Sequence, residues 1–311
     1  MNSKKKIIFY IDWTDCLAHL TGDEAYSIGE TKEERRNYTR CQVNNFFKEL
    51  KNLSKKYEVD IHCITGGSVE YLNGNGDGWI SLIHELFKNA GFSNTFKSVA
   101  TEYGGDLLVG SEMKLLERPF KESKILSTEK LLNDIHDIIP SEIEPMVELS
   151  LYKYFANIRF EKEDMTEEEF NYYYAIISDF KNRELYDLYP YYCPGYGVEI
   201  DVLPKGFNKE LAVENINSLF YNDTPKDKIA LSVFNGDFAD IDLRMVDHSL
   251  TENVLFVGSM DANIQNSLQG KSLPYNIGGY KIEAITKIMR WLSICDLEKI
   301  PFNKEGYRYG R

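Results

Sequence analysis

The sequence predicts an α/β fold: a Rossmann-like core built on a parallel sheet, with a second α+β domain inserted into it. Three observations carry this. Short apolar runs rich in β-branched and aromatic residues stop at polar or glycine turns, at 7–11, 57–64, 229–234 and 253–257. Helix-like segments with apolar residues at spacings of three and four fall among them, at 41–56, 79–90, 208–220 and 280–293. Alternation of buried strand and helix is the signature of a parallel sheet. The stretch 107–205 breaks this pattern.

The first strand is the run Ile7 to Ile11, which ends abruptly at Asp12. The second, Tyr57 to Ile64, runs into Thr65-Gly66-Gly67-Ser68. The third and fourth end at Asn235-Gly236-Asp237 and at Gly258. Such continuous apolar runs suit strands covered on both faces. The middle of the chain carries long charged helix-like pieces at 127–139 and 165–183, and strand-like alternation at 146–161 and 196–203. That is an α+β pattern. The expected division is a core from 1–106 and 206–311, with the inserted domain at 107–205. The glycine-rich 73–78 (NGNGDG) reads as a surface loop, since it lacks the Lys-Ser/Thr of a phosphate-binding P-loop.

Composition sets limits on partners. The chain has 311 residues, 43% hydrophobic and 27% charged, which is ordinary for a globular protein. No apolar run reaches the roughly 18 residues of a membrane span. The N-terminal apolar run is shorter than a signal peptide requires, so a cytoplasmic protein with no membrane partner is expected. Cysteines 16, 41, 63, 193 and 295 are scattered without a CxxC pair, which points to reduced thiols. A net charge of −13 argues against nucleic-acid backbones as partners. It would also repel a phosphorylated substrate unless a cation sits in the site.

In open α/β sheets, ligands bind beyond the carboxyl ends of the strands. Asp12, Thr65 and Asp237 all fall at such ends, and Lys209 opens a helix. This set suits phosphoryl transfer. Asp12 can attack a phosphoryl group to form an acyl-phosphate. Thr65 and Lys209 can hold the phosphoryl oxygens as charge shifts. Asp12 and Asp237 can hold Mg²⁺, a hard ion that takes oxygen ligands. Gly66, beside Thr65, is a candidate substrate contact.

At these residues the chain resembles the haloacid dehalogenase superfamily, particularly its Cof-like sugar phosphatases with a large type-2 cap. DWTDCL (12–17) resembles the first motif, usually DxDGTL, and ITGGS (64–68) the second. ATEYGG (100–105) looks like the ENGA-type turn before the cap. GFNKELAV (206–213) is similar to the lysine motif, and NGDFADIDLRMV (235–246) to the fourth, Gly-Asp followed by a second acid. NIGGYKIEAI (276–285) looks like the turn before the final helix. The resemblance spans almost the whole chain. It implies an Mg²⁺-dependent phosphatase or phosphotransferase, with Asp12 as nucleophile. Asp237 and Asp242, with the Thr14 backbone carbonyl, would then complete the metal site. The inserted domain would be a cap that selects a small phosphorylated metabolite, a sugar phosphate foremost.

The departures from the family pattern matter. Placing FYIDWT on the first motif puts Tyr10 at the nucleophile position and makes Asp12 the acid/base. Placing DWTDCL there makes Asp12 the nucleophile; this register is preferred because it leaves an uninterrupted apolar strand before the acid. Thr14 then stands where the family's acid/base aspartate sits, and a threonine cannot exchange that proton near pH 7. Slow hydrolysis follows, or a leaving group that needs no protonation. Gly67 replaces the common arginine of the second motif. Either Asp240 or Asp242 can be the second acid of the fourth motif; family spacing favours Asp242. Arg159 is the candidate substrate contact from the cap, where ten tyrosines between Tyr152 and Tyr196 also cluster. The five histidines share no metal-ligand spacing; His19 follows the first motif closely and is a weaker candidate for the substrate side. The contrasting expectation is a degenerate member that binds a phosphorylated ligand or protein partner without turnover, favoured by Thr14, Cys16 and Gly67. The oligomeric state and the identity of the substrate are not encoded in these motifs.

Overall fold

The structure is a computed structural model. It describes residues 4–13, 17, 32–72, 79–109, 114–117, 127–162, 164–193, 197–236, 239–259, 278–279 and 282–307. The chain divides into two compact units, Met1–Leu116 with Lys209–Arg311, and Glu117–Asn208. The inserted unit thus starts at Glu117, later than the expected 107, and ends at Asn208, just past the expected 205. The later start reflects β4 (Asp106–Val109) and β5 (Lys114–Glu117), which join the core sheet.

The first unit is built on β1 (Lys6–Asp12), β2 (Glu58–Ile64), β3 (Phe96–Thr101), β10 (Ile229–Gly236), β11 (Val254–Ser259) and β12 (Gly278–Gly279), together with β4 and β5. The eight-stranded sheet has the order β12-β11-β10-β1-β2-β3-β4-β5. β1 lies between β10 and β2 and is parallel to both, while β4 is antiparallel to β3. The fold is thus mixed α/β, with a mostly parallel central sheet.

Side chains of β1 alternate between two cores. Ile7, Phe9, Ile11 and Trp13 face one, made by α1 (Lys32–Ser54), α3 (Trp79–Asn89) and α8 (Ile282–Ile294) through residues such as Phe46, Phe87 and Met289. Between α1 and α3 lies the single turn α2 (Val69–Leu72). Ile8 and Tyr10 face the other core, made by α6 (Lys209–Phe220) and the turn Leu243–His248 that follows α7 (Ala239–Asp242). Cover on both faces explains the unbroken apolar run. It also assigns Asp12, two residues beyond Tyr10, to the side of α6.

The second unit is a four-stranded antiparallel sheet, ordered β6 (Val147–Leu151), β7 (Ala156–Phe160), β9 (Gly197–Pro204) and β8 (Tyr186–Cys193). α4 (Thr128–His136) and α5 (Glu167–Ile177) supply Leu131, Ile135, Phe170 and Ile177 to the core on one sheet face. α5 opens with a complete capping box between Thr166 and Glu169. Cross-strand partners place Asn157, Arg159, Glu199 and Asp201 on the opposite face, with Asn157 Nδ2 donating to Asp201 at 2.7 Å.

A polar network is buried under α6 in the first unit. His62 is fully buried, with Nδ1 2.7 Å from the Ser98 hydroxyl and Nε2 2.6 Å from the Tyr221 hydroxyl. Tyr221 donates to Asp60 at 2.9 Å, and Asp60 also pairs with Lys6 at 2.5 Å and Lys97 at 3.5 Å. Burial, then the nearby Lys97 and Lys6, holds the His62 imidazole well below its ordinary pKa. The folded protein therefore keeps His62 neutral, whereas the unfolded chain takes up a proton below about pH 6.5. A depressed folded value means that stability is present above that pH and lost as pH falls. His62 alone predicts a loss approaching about 1.4 kcal/mol per pH unit below pH 6.5. Urea unfolding of wild type and His62→Gln at pH 7.5, 6 and 5 tests this. A shallower pH dependence in the variant is expected; equal slopes would reject the assignment.

Candidate active site

Asp12 is the last residue of β1 and is 4% exposed. Its Oδ1 accepts the Trp13 backbone N–H at 2.7 Å, and its Oδ2 lies 3.0 Å from Lys209 Nζ. Lys209 is the first residue of α6 and also reaches Asp242 Oδ1 at 2.6 Å. Asp242 is fully buried at the end of α7. One ammonium, at the start of α6, thus bridges two carboxylates, one from β1 and one from α7. A buried carboxylate pair carries a large desolvation and repulsion penalty, which the shared cation offsets.

Asp242 is placed by Gly236. A Cβ on Gly236 would lie 2.3 Å from the Cβ, Cγ and Oδ2 of Asp242, so the carboxylate occupies the space that any other residue would fill. This is why glycine ends β10. His248, at the end of the turn after α7, pairs with α6 through Glu210 at 3.7 Å and Glu214 at 2.8 Å. The neighbouring Glu210 and Glu214 carboxylates raise the His248 pKa. Asn217 adds a donor to the His248 carbonyl at 2.9 Å. The segment carrying Asp242 is thereby tied to the helix carrying Lys209.

Thr65 follows β2 and is 2% exposed. Its Oγ1 accepts the Gly67 N–H at 3.0 Å, which leaves its own O–H proton available to donate to an anion. Gly66 lies beneath the Tyr103 ring, where a Cβ would meet the ring at 2.8 Å.

Tyr10 is wholly in the core. Its ring stacks on Phe234, with centroids 4.7 Å apart, and its hydroxyl donates to Asn217 Oδ1 at 2.5 Å. Burial raises its pKa above the ordinary phenol value. Arg159 belongs to the second unit, is half exposed and pairs with Glu161 at 3.4 Å. Thr14, Cys16, His19, Asp237, the 73–78 loop and the side chain of Asp240 lie outside the described residues. Among the described residues, no group of three or more His, Cys, Asp or Glu is arranged to hold a metal ion. No described helix is long and apolar enough to cross a membrane. Cys41, Cys63 and Cys295 are free thiols.

The sequence reading did not anticipate Tyr103 or Asn217. Gly104 and Gly105 signal a turn there, but nothing in the sequence shows that an aromatic ring packs on Gly66. Asn217 lies inside α6, and only the fold brings it to Tyr10.

Overpacking generates a direct test. Gly236→Ala should cost about 1–3 kcal/mol of stability. It should do so by displacing Asp242 from Lys209, read as a lower urea midpoint with an unchanged slope. An unaltered midpoint would show that the Asp242 carboxylate does not fill this space.

No family model and no curated protein sequence matches the chain. Solved structures do. A Candida albicans trehalose-6-phosphate phosphatase C-terminal domain has a TM-score of 0.53 at 14% identity, covering 94% of this chain and 93% of that one. An Aspergillus fumigatus trehalose-6-phosphate phosphatase has a TM-score of 0.52 at 10% identity, covering 93% of each chain. The C-terminal domain of a Candida albicans trehalose synthase regulatory protein has 0.51 at 10% identity, covering 94% of each. These likenesses do not single out the Cof-like subtype. At such identities the likeness is one of fold: the chain has the fold of these phosphatase domains.

Proposed function

We propose that the protein is a phosphatase or phosphotransferase acting on a small phosphorylated metabolite, with a sugar phosphate as the leading class. The carrying observation is the buried Asp12–Lys209–Asp242 cluster at the carboxyl end of β1. Two proteins of similar fold are trehalose-6-phosphate phosphatases, which supports the substrate class.

In this reading Asp12 attacks the phosphorus atom. An Asp12 oxygen–phosphorus bond forms as the bond to the leaving oxygen breaks. The Thr65 hydroxyl and the Lys209 ammonium bind the equatorial oxygens, where negative charge gathers. Water then attacks the acyl-phosphate, releasing phosphate and restoring Asp12. Thr14 cannot give the leaving oxygen its proton, so that proton comes from solvent and turnover is slow for poor leaving groups. The donors are all hard oxygens, which fits magnesium, with Asp12, the Thr14 carbonyl, Asp237 and Asp242 as its holders. When bound, magnesium supplies charge neutralisation that lets an anionic substrate approach these acids. The second unit acts as the cap, with Arg159 as a substrate contact, and the site of action is cytoplasmic.

Phosphate release from a panel of phosphorylated metabolites, with Mg²⁺ or with EDTA, tests this. Asp12→Asn should lose activity by about 10³-fold or more, while Tyr10→Phe should stay within a few-fold of wild type. Loss of activity in Tyr10→Phe at unchanged stability would overturn the register. Thr14 and Gly67 favour a second reading, a binding protein without turnover. It predicts that no substrate releases phosphate, while Asp12→Asn binds ligand as wild type does.

A further inference from the structure

Three successive residues at the end of β3 adopt left-handed backbone: Glu102 (φ 46°), Tyr103 (φ 55°) and Gly104 (φ 91°). Residues with a Cβ hold this conformation at a cost, and only where their surroundings enforce it. Here the enforcement comes from two sides.

On one side the turn grips the segment after β2. The Glu102 N–H donates to Gly67 O at 3.0 Å, and the Tyr103 N–H to Thr65 O at 3.1 Å. The Thr65 N–H donates back to Ala100 O at 2.9 Å. The buried Tyr103 ring covers Gly66 so closely that no side chain fits between them. On the other side the turn rests on α6. A Cβ on Gly104 would lie 2.8 Å from the Ala212 N and Cα, and Asn215 Nδ2 donates to Gly104 O at 3.2 Å. α6 is the helix that begins with Lys209.

We propose that the Glu102–Gly104 turn is a bracket that fixes the Thr65 hydroxyl relative to the Lys209 ammonium, with Tyr103 as a positioning residue for phosphoryl binding. This rests on the phosphoryl-transfer reading of the same site. Thr65 and Lys209 come from distant parts of the chain, so no local geometry sets their separation. A left-handed turn reverses the chain within three residues, which lets one short segment touch both the loop after β2 and α6. Gly66 and Gly104 are then glycines for a shared reason: one accepts the ring, the other the helix backbone.

Tyr103→Gly tests the bracket, because it relieves the left-handed strain while deleting the ring. With p-nitrophenyl phosphate as substrate and inorganic phosphate as inhibitor, KM and Ki should rise together by about tenfold. The change in kcat should be smaller, since Thr65 contacts the phosphoryl group in ground and transition states alike. Tyr103→Phe, which keeps the ring on Gly66, should recover most of the loss. Amide hydrogen exchange at Gly67 and Glu102 should speed up in Tyr103→Gly and return toward wild type in Tyr103→Phe. A lower Tm with unchanged KM and Ki would overturn the proposal, leaving Tyr103 a packing residue. Unchanged exchange at Gly67 would overturn it too. Wild-type protein that neither hydrolyses nor binds phosphate would overturn the phosphatase reading instead, and exchange alone would then decide the bracket.

Discussion

The Lys209 ammonium is the charge on which the carboxyl end of the sheet depends. It lies 3.0 Å from Asp12 and 2.6 Å from Asp242, and all three side chains are buried. Without it, two carboxylates would face each other out of water, at a cost of several kcal/mol. With it, the two carboxylates share one cation. The surrounding structure serves that arrangement. Gly236 makes room for Asp242, the Trp13 N–H fixes one Asp12 oxygen, and His248 ties the turn after α7 back to α6.

The same sheet carries a second buried polar network, apart from the Asp12–Lys209–Asp242 cluster. Toward the amino ends of β1 and β2, Asp60 pairs with Lys6 and Lys97 and carries the chain through Tyr221 to His62 and Ser98. Each of these contacts satisfies a polar group inside an apolar core, where an unmet partner is costly. Tyr10 stands between the two regions. Its ring stacks on Phe234 and His62, and its hydroxyl meets Asn217 on α6. α6 is therefore held at both ends: by Lys209 at its start, and by Asn217 in its last turn with Tyr221 just past it.

Much of the fold was legible because burial on both faces writes a simple pattern. The runs at 7–11, 57–64, 229–234 and 253–257 match β1, β2, β10 and β11 closely. α3, α6 and α8 lie within a residue or two of their expected spans. Other elements were less visible. α1 begins at Lys32 rather than 41, because its first turns carry charged residues instead of an apolar stripe. β8 holds Pro190 among its tyrosines, which reads as a break in a strand. It is tolerated because β8 is the edge of its sheet. β3, β4 and β5 were not recognised at all. β4 and β5 are only four residues each, too short to show a period, and they moved the boundary of the inserted unit to Glu117.

The sequence by itself determined the class of fold, the strand that ends in Asp12, the lysine that opens a helix and the glycine that ends β10. These are local facts, set by hydrophobic period and by the residues that stop it. What only the tertiary structure decided is which of these groups meet. Asp242 reaches Lys209 because Gly236 lacks a side chain, and Tyr10 is a core residue because strand pairing puts it between Phe234 and His62. Contacts between residues so distant in sequence depend on sheet order and helix placement. No local period encodes them.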